Sequence, residues 1–268
     1  MVLISHRYKF IFIKPKKVAG TSVEALFERY CQDPNLPYKC EEKRSEEDTE
    51  FGVIGHRGQD GILNNYIQNT KWLSHMSLTK LKGHVEKNVF DNYLKFTVIR
   101  NPWDCMVSWY SFCITTEAVD ASFEDFISFM LFGVALFFGM KYNYDDFCTA
   151  NIFMIDKKIE DFSLTLSDGR TVNTAGKLLP TPVYNWLSYT LNGVPSCDFY
   201  IRYENLKEDI LEVAKRLNIL DLNIENLPEY KSGYRDKSKS YREFYNDKTR
   251  QLVYEMYKEE IDYFKYEF

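Results

Sequence analysis

Residues 10–22 read FIFIKPKKVAGTS, and this stretch decides the fold class. Its first four residues form an uninterrupted apolar run, which is typical of a buried strand. A short segment with three lysines and one glycine follows, and apolar side chains then recur at helical spacing in residues 23–27. The stretch predicts a strand, a tight turn and the start of a helix, with Glu24 and Glu28 on the solvent side of that helix.

The predicted turn has the residue types of an anion site. A helix N-terminus offers free backbone N–H groups and the positive end of the helix dipole. Gly20 lets the backbone approach a ligand closely, Thr21 and Ser22 add hydroxyl donors, and Lys17 adds a mobile positive charge. The same pattern fits an ordinary strand–turn–helix with an exposed lysine, and the residues alone leave both interpretations open.

A second segment, residues 96–108, repeats this layout as FTVIRNPWDCMVS. Arg100 follows the apolar run, at the strand end where open α/β sheets bind ligands, and its guanidinium can hold a phosphate with two hydrogen bonds. Asn101 and Pro102 are typical of a helix start, and Ser108 lies about two turns further along. A capped amphipathic helix explains the aromatic residues but not this arginine and serine. Two such turns indicate a ligand with two anionic ends.

With both segments in view, the chain resembles the sulfotransferase superfamily, and within it the Golgi-type and bacterial carbohydrate sulfotransferases. Residues 17–22 are similar to the family's 5′-phosphosulfate loop, and Arg100 with Ser108 to its 3′-phosphate motif. Three further matches occur in the family's order, at residues 74–77, 201–206 and 230–268. The resemblance covers residues 6–30, 72–112 and 197–268.

The resemblance implies transfer of a sulfuryl group from 3′-phosphoadenosine 5′-phosphosulfate (PAPS) to a hydroxyl or amine of a carbohydrate or small-molecule acceptor. It implies a P-loop NTPase-like fold of the α/β class, with three α/β/α layers and a central parallel sheet. We expect one domain over residues 1–268, in which residues 31–70 and 113–196 diverge and shape the acceptor pocket. The acceptor and the oligomeric state do not follow from the sequence.

The resemblance assigns roles to individual residues. It makes Lys17 the cation that stabilises the leaving group, and it places Tyr203 near the adenine. The 5′-phosphate would be held by Val18, Ala19, Gly20, Thr21 and Ser22, and the 3′-phosphate by Arg100 and Ser108. A basic loop would close over the nucleotide through Lys231, Arg235, Lys237 and Lys239. A solvated loop is an equally good interpretation of that basic stretch, and Lys14 and Lys16 fit solvated lysines at least as well as phosphate contacts.

His75 is the candidate general base. Histidine is suited to proton abstraction near neutral pH, and many members of the family place a histidine at this position. His56, in a glycine-rich loop, is the reserve candidate. His6 precedes the predicted first strand and His84 lies in a predicted helix, so neither is expected to take part in catalysis.

Composition limits the partners of the chain. A net charge of −5 and a pI of about 5.5 argue against bulk binding to nucleic acid or to an anionic membrane. The longest apolar run, residues 129–140, is too short to span a bilayer. Six cysteines show no C-x-x-C pairing, so we expect reduced thiols and a soluble, cytoplasmic protein. No cluster has metal-ligand spacing, and the implied chemistry needs no metal.

Two alternatives to a sulfotransferase stay open. A P-loop kinase or NTPase would also bind a phosphorylated nucleotide, but the chain contains no Gly-Lys-Ser/Thr run and its lysine precedes the glycine. A non-catalytic module would bind 3′-phosphoadenosine 5′-phosphate (PAP) without turning over PAPS.

The rest of the chain gives coarser predictions. Residues 31–70 are expected to form a long and partly disordered excursion, whose charge run at 41–50 is solvated. A hairpin is expected around Asp168 and Gly169, a capped helix from Ser122, and amphipathic helices over 204–217 and 247–264.

Overall fold

The structure, a computed structural model, describes residues 2–38, 44–57, 70–116, 121–140, 152–154, 163–165, 171–173, 178–180, 183–230, 233–236 and 238–268. Contacts divide the chain into two compact units. The first unit comprises Met1–Arg100 and Asn185–Lys231, and the second comprises Asn101–Tyr184 and Ser232–Phe268.

The strands of the described residues are β1 (Val2–Ser5), β2 (Phe10–Ile13), β3 (Glu47–Thr49), β4 (Gly52–Ile54), β5 (Leu94–Ile99), β6 (Ile152–Met154), β7 (Ser163–Thr165), β8 (Thr171–Asn173), β9 (Leu178–Pro180), β10 (Thr190–Leu191), β11 (Val194–Pro195) and β12 (Phe199–Arg202). The α-helices are α1 (Gly20–Phe27), α2 (Leu78–His84), α3 (Lys87–Asn92), α4 (Pro102–Thr115), α5 (Phe123–Met140), α6 (Leu206–Arg216), α7 (Asp247–Met256) and α8 (Lys258–Phe264). None of the helices in the described ranges is long and apolar enough to cross a membrane.

A six-stranded sheet in the order β12-β5-β2-β1-β4-β3 forms the centre of the first unit. The strands β12, β5 and β2 are parallel, whereas β1 and β4 continue the sheet through antiparallel pairs and β3 closes that edge. The α/β class is confirmed, and the parallel strands are those that carry the two motifs. The antiparallel half was not foreseen, because its strands are only three or four residues long and the pairing of β1 with β4 joins segments far apart in sequence.

Helices cover both faces of this sheet, which gives the first unit the predicted three layers. Side chains alternate along each strand, so that one face packs against α1 and α6 and the other against α2 and α3. The first face is formed by Leu3, Phe10, Phe12, Phe96, Val98 and Ile201, and packs on Val23, Phe27, Ile210 and Val213. The second face is formed by Val2, Ile4, Ile11, Ile13 and Val53, and packs on Leu78, Leu81 and Phe90.

Two sequence predictions in the first unit were wrong. Phe10–Ile13 is not the first strand, because Val2–Ser5 precedes it and pairs with it across a short turn in which Lys9 has a φ of 54°. Residues 31–70 are not only an irregular excursion, because β3 and β4 lie within them and extend the central sheet. The prediction of solvation holds for β3, whose residues are exposed.

Glu24 and Glu28 do not face solvent, contrary to the sequence prediction. Both are fully buried and belong to a charge network beneath α1. Lys14 Nζ lies 2.7 Å from Glu24 Oε2, and Arg57 Nη2 lies 2.6 Å from Glu28 Oε2. Arg44 also pairs with Glu28. Lys14 and Lys16 are buried as well, so the interpretation of both as solvated lysines was also wrong.

The charge network has opposing effects on the ionisation of Glu28. Burial raises the pKa of this carboxyl, while the charges of Arg57 and Arg44 act to lower it, and the net direction is upward. The carboxylate is therefore stable in this position only while both guanidinium groups are present. Residues distant in sequence thus determine whether α1 can lie on the sheet.

The second unit contains the helix that follows the second motif. Asn101 caps α4 by accepting a hydrogen bond from the Trp103 N–H, and Pro102 occupies the first turn, as predicted. Ser122 caps α5 through the N–H of Asp125, which confirms the predicted helix start. The helix expected over 247–264 is broken at Tyr257 into α7 and α8.

The strands of the expected hairpin are also present in the second unit. β7 and β8 pair in antiparallel register, with Ser163 opposite Asn173. The turn itself, with Asp168 and Gly169, lies outside the described residues.

Replacing Glu28 with glutamine should destabilise the protein by about 3–5 kcal/mol, since it leaves Arg44 and Arg57 buried without a countercharge. The control is Glu212→Gln on α6, which breaks an exposed pair with Arg216 and should cost less than about 1 kcal/mol. Urea denaturation of both variants measures the difference. Equal losses for the two would contradict a structural role of the buried network.

Candidate functional site

The candidate site begins at the edge of the sheet where the three parallel strands end. β2, β5 and β12 run in the same direction, so the residues that follow them meet at one edge. Those residues are the loop of residues 14–19, Arg100 and Tyr203. All of them belong to the first unit.

The loop of residues 14–19 has an unusual backbone. Lys17 and Ala19 have φ angles of 61° and 60°, in the left-handed region that residues other than glycine rarely adopt. Ala19 lies at the N-cap of α1 and gives the helix no side-chain cap. Within the described part of the chain, the N–H groups of residues 18–21 have no hydrogen-bond acceptor. The loop thus presents four consecutive unpaired donors at a helix N-terminus.

The carbonyl groups of the same loop are bound by side chains of the protein. Arg100 Nη1 donates to the Lys17 carbonyl at 2.8 Å. Asn185 binds Lys16 twice, because its Nδ2 donates to the Lys16 carbonyl and its Oδ1 accepts from the Lys16 N–H, both at 2.9 Å. His75 Nδ1 lies 2.9 Å from the Lys14 carbonyl. Three side chains from distant segments therefore hold the loop by its acceptors.

This division of acceptors and donors makes the loop electropositive. Side chains bind the carbonyl oxygens of Lys14, Lys16 and Lys17, and the N–H groups of residues 18–21 have no acceptor among the described residues, which is the pattern of backbone anion sites. The positive end of the α1 dipole adds to the same field. We call residues 14–22 the cradle, because their backbone can surround one anionic group.

Gly20 is required in the cradle for a reason that the sequence did not indicate. A Cβ atom at this position would lie 2.8 Å from Lys14 Cγ and 3.3 Å from the Pro15 carbonyl oxygen. The missing side chain thus leaves room for the Lys14 stem on its way to Glu24. The sequence argument had assigned that space to a bound anion.

The two hydroxyl residues of the cradle differ in their environment. Ser22 is buried, and its Oγ accepts a hydrogen bond from the Tyr230 N–H at 3.4 Å. Thr21 is half-buried, and its hydroxyl has no partner among the described residues. The Ser22 oxygen thus accepts one bond while its O–H can still donate, and Thr21 is the more exposed hydroxyl of the pair.

Arg100 and Tyr203 lie together beside the cradle. The guanidinium carbon of Arg100 is 3.9 Å from the centre of the Tyr203 ring, close enough for a cation–π interaction. Arg100 itself is only 7% exposed. A guanidinium held by a ring on one side and a carbonyl on the other has a fixed direction, which favours geometric recognition of an anion.

The hydrogen bond of His75 defines which of its ring nitrogens carries the proton. Its Nδ1 is bonded to a carbonyl oxygen, which can only accept, so Nδ1 carries the proton and Nε2 keeps its lone pair in the neutral ring. Burial lowers the pKa of His75 well below its ordinary value of 6.5, and the positive charges of Lys14 and Lys16 lower it further. The imidazole is therefore neutral at physiological pH. His56 follows β4, and its backbone N–H donates to the Trp72 carbonyl.

Comparison with known protein families gives one match. The model of the sulfotransferase family matches residues 1–267 of this chain. The chain belongs to the sulfotransferase family. It is thus a transferase of the sulfotransferase type, and the family implies a sulfate donor. No curated protein and no solved structure matches this sulfotransferase significantly.

Three predicted ligand residues of this sulfotransferase lie in the second unit. Ser108 is half-buried on α4. Arg235 pairs with Asp104 in the first turn of α4, and its Nη2 donates to the Lys239 carbonyl at 2.9 Å. Lys239 is exposed. Arg235 is thus engaged within its own unit, whereas Lys231 and Lys237 of the basic stretch lie outside the described residues.

The sequence interpretation missed Asn185. It lies in the 3₁₀ helix Asn185–Ser188, within a segment that was expected to shape the acceptor pocket. A buried asparagine has no periodicity or spacing that would mark it, and its partner is 169 positions away. No signal in a single sequence could have identified it.

A small cavity of about 180 Å³ lies beside α1 in the first unit. It is lined by Ala25, Leu26, Arg29, Tyr30, Tyr38, Asn223, Asn226, Pro228 and Tyr230. This mixture of aromatic and amide groups suits a flat polar ring. The cavity shares Tyr230 with the contact to Ser22 described above.

The structure describes few groups in this unit or the other that could bind a metal ion or act as a nucleophilic thiol. No group of three or more histidine, cysteine or acidic residues in the described ranges could hold a metal ion. Four cysteines are described, and each is a thiol outside any disulfide: Cys31, Cys105, Cys113 and Cys197. Burial raises the pKa of Cys31 well above its usual value, and a buried neutral thiol is a poor nucleophile.

Replacing Gly20 with alanine should destabilise this sulfotransferase by about 1–3 kcal/mol, since the new methyl group collides with the Lys14 stem. Gly83→Ala is the control. Gly83 lies in α2 with open space around it, and alanine there should stabilise the helix by up to about 1 kcal/mol. Chemical denaturation of both variants measures the change in the free energy of unfolding, which should have opposite signs in the two. Stabilisation by Gly20→Ala would show that the Lys14 path is wrong.

Proposed function

We propose that this sulfotransferase transfers the sulfuryl group of PAPS to a hydroxyl or amine of a carbohydrate or small-molecule acceptor. The observation that carries the proposal is the cradle, in which side chains bind the carbonyls of Lys14, Lys16 and Lys17 and the N–H groups of residues 18–21 have no acceptor among the described residues. Arg100 lies at the same sheet edge and provides a second anion contact. PAPS has anionic groups at its 3′ and 5′ positions, so it requires two such contacts.

The cradle is the proposed site of the 5′-phosphosulfate. Backbone N–H groups of Val18, Ala19, Gly20 and Thr21 would donate to its oxygens, and the Thr21 hydroxyl would add a further donor. Ser22 would support the loop through its contact with Tyr230. Lys17 would place its ammonium group at the bridging oxygen, where charge develops as the S–O bond breaks.

Arg100 is the proposed contact of the 3′-phosphate. Its contacts with the Lys17 carbonyl and the Tyr203 ring give the guanidinium a fixed orientation beside the cradle, which suits geometric recognition of a phosphate. Ser108, eight positions further along the chain, stays the predicted second donor, and Arg235 and Lys239 stay predicted contacts of the covering loop. Tyr203 and the tyrosine-lined cavity are the two aromatic surfaces that the first unit offers to the adenine.

His75 is the proposed general base. In the transfer step, the acceptor oxygen or nitrogen forms a bond to sulfur while the bond between sulfur and the 5′-phosphate oxygen breaks. His75 Nε2 takes the proton of the acceptor, and the electron pair of the broken bond stays on the phosphate of PAP. Because little covalent chemistry is needed, positioning and electrostatic stabilisation provide most of the rate. The hydrogen bond from His75 Nδ1 to the Lys14 carbonyl leaves the Nε2 lone pair available, which supports His75 as the general base in preference to His56.

Calorimetric titration of PAP without magnesium tests the proposed function, with ATP as the comparison. We expect tight binding of PAP and weak binding of ATP, because only PAP carries a 3′-phosphate. Arg100→Ala should weaken PAP binding by about 10- to 100-fold, the effect of losing one charged hydrogen-bonding group. Arg216→Ala, which changes an exposed arginine on α6, should leave it unchanged.

Two results of this titration would overturn the proposal. Failure of the wild-type protein to bind PAP would remove the 3′-phosphate site. A preference for ATP with magnesium would instead favour a kinase or NTPase, whereas PAP binding without turnover of labelled PAPS would indicate a non-catalytic module.

Replacing His75 with asparagine should lower kcat by about 10²- to 10⁴-fold and leave PAP affinity nearly unchanged, since the amide can still donate to the Lys14 carbonyl but has no basic nitrogen. The wild-type pH profile gives a second readout. A base with a lowered pKa stays neutral as the pH falls, so the acid limb of kcat/KM should lie well below pH 6.5. An unchanged kcat in the variant would transfer the base role to His56.

A further inference from the structure

Lys14 is bound at both ends, although the proposed mechanism gives it no role. Its ammonium group lies 2.7 Å from Glu24 Oε2, and both side chains are buried. Its carbonyl oxygen accepts the hydrogen bond of His75 Nδ1 at 2.9 Å. One residue thus joins a buried ion pair of α1 to the candidate base.

The path of the Lys14 side chain leaves it little freedom. The stem passes directly beneath Gly20, where even a methyl group would collide with it. If the side chain left this path, the fully buried Glu24 carboxylate would lose its nearer cation. Arg57, its other cation, lies further away at 3.7 Å. A buried charge without its partner is strongly unfavourable, so the ion pair fixes the backbone of Lys14 as well as its side chain.

The orientation of the Lys14 carbonyl in turn decides the state of His75. The second ring nitrogen of a histidine is set by the hydrogen bond that the first nitrogen makes. An imidazole free in water carries its proton mainly on Nε2, which would leave no lone pair there for an acceptor. The Lys14 carbonyl imposes the opposite tautomer.

We propose that Lys14 is a positioning residue, whose buried pair with Glu24 holds the carbonyl that keeps the proton of His75 on Nδ1 and the lone pair on Nε2. The ion pair acts through the backbone and does not touch the acceptor. The catalytic consequence rests on the proposed function, whereas the effect on the His75 ring does not.

The test compares the wild-type protein with the double variant Lys14→Met/Glu24→Gln. The double variant removes both charges together, so neither is left buried alone. Long-range ¹H–¹⁵N correlations of the imidazole ring identify which nitrogen carries the proton, and a His75→Gln variant assigns the signals. We expect the Nδ1–H form of His75 in the wild type and a shift towards Nε2–H in the double variant. The kcat should fall by about 10- to 100-fold, as for other supporting residues, with KM for PAPS nearly unchanged.

Lys95→Met is the matched control, because Lys95 is another buried lysine of the first unit that pairs with a carboxylate, Asp198. Its ammonium group donates to the carbonyls of Phe90 and Tyr93, not to the cradle. This variant should keep the Nδ1–H form of His75 and the wild-type kcat. If it changed the tautomer as much as the double variant, the effect would be one of general destabilisation, and the proposal would fail.

The remaining outcomes are also decisive. An Nε2–H ring in the wild type, or an Nδ1–H ring in the double variant, would overturn the proposal. If the double variant does not fold, Glu24→Gln takes its place, because its amide keeps an oxygen for Lys14 Nζ. This variant should give a smaller shift of the His75 proton towards Nε2. A His75 tautomer unchanged from the wild type would overturn the proposal. A protein that fails to bind PAP but shows the tautomer shift would retain this inference and lose the proposed function.

Discussion

The buried charges beneath α1 are the constraint on which the first unit depends. Glu24 and Glu28 point into the protein, and their countercharges come from the end of β2 and from the segment around β4. Desolvation of these carboxylates is unfavourable unless every cation is in place. The helix, the loop before it and the antiparallel half of the sheet can therefore form only together. A stretch of chain that looks local in the sequence is held by long-range electrostatics.

The same constraint explains how a polar loop remains ordered at the sheet edge. The cradle is fixed by hydrogen bonds to its carbonyls, from His75, Asn185 and Arg100. These side chains bind three of its carbonyls and leave the N–H groups of residues 18–21 without an acceptor among the described residues, so the donors of the proposed anion site need no rearrangement when a ligand binds. Two of the three supporting groups are themselves candidates for contact with substrate. The same side chains therefore hold the cradle in place and are candidates for contact with substrate.

The sequence predicted local structure well and tertiary partners poorly. The strand–turn–helix at residues 10–27 and the cap of α4 follow from apolar runs, Gly20, Asn101 and Pro102, all of which act within a few residues. The burial of Glu24 and the role of Asn185 depend on partners 10 and 169 positions away, which no periodicity encodes. Acidic residues between apolar ones normally indicate a solvated face, so the rule failed where a buried network overrode it.

Lys17 unites two requirements that usually exclude each other. Its left-handed backbone is one that glycine adopts at little cost, yet its proposed function needs a long cationic side chain. A non-glycine residue in this region costs about 1 kcal/mol or more, and contacts outside the loop must hold it there. The conformation of this motif consequently does not follow from its own residues alone. Residues 14–22 grafted onto another strand–turn–helix would carry the same letters without the conformation, so similarity in this loop is informative only where its distant supports are also present.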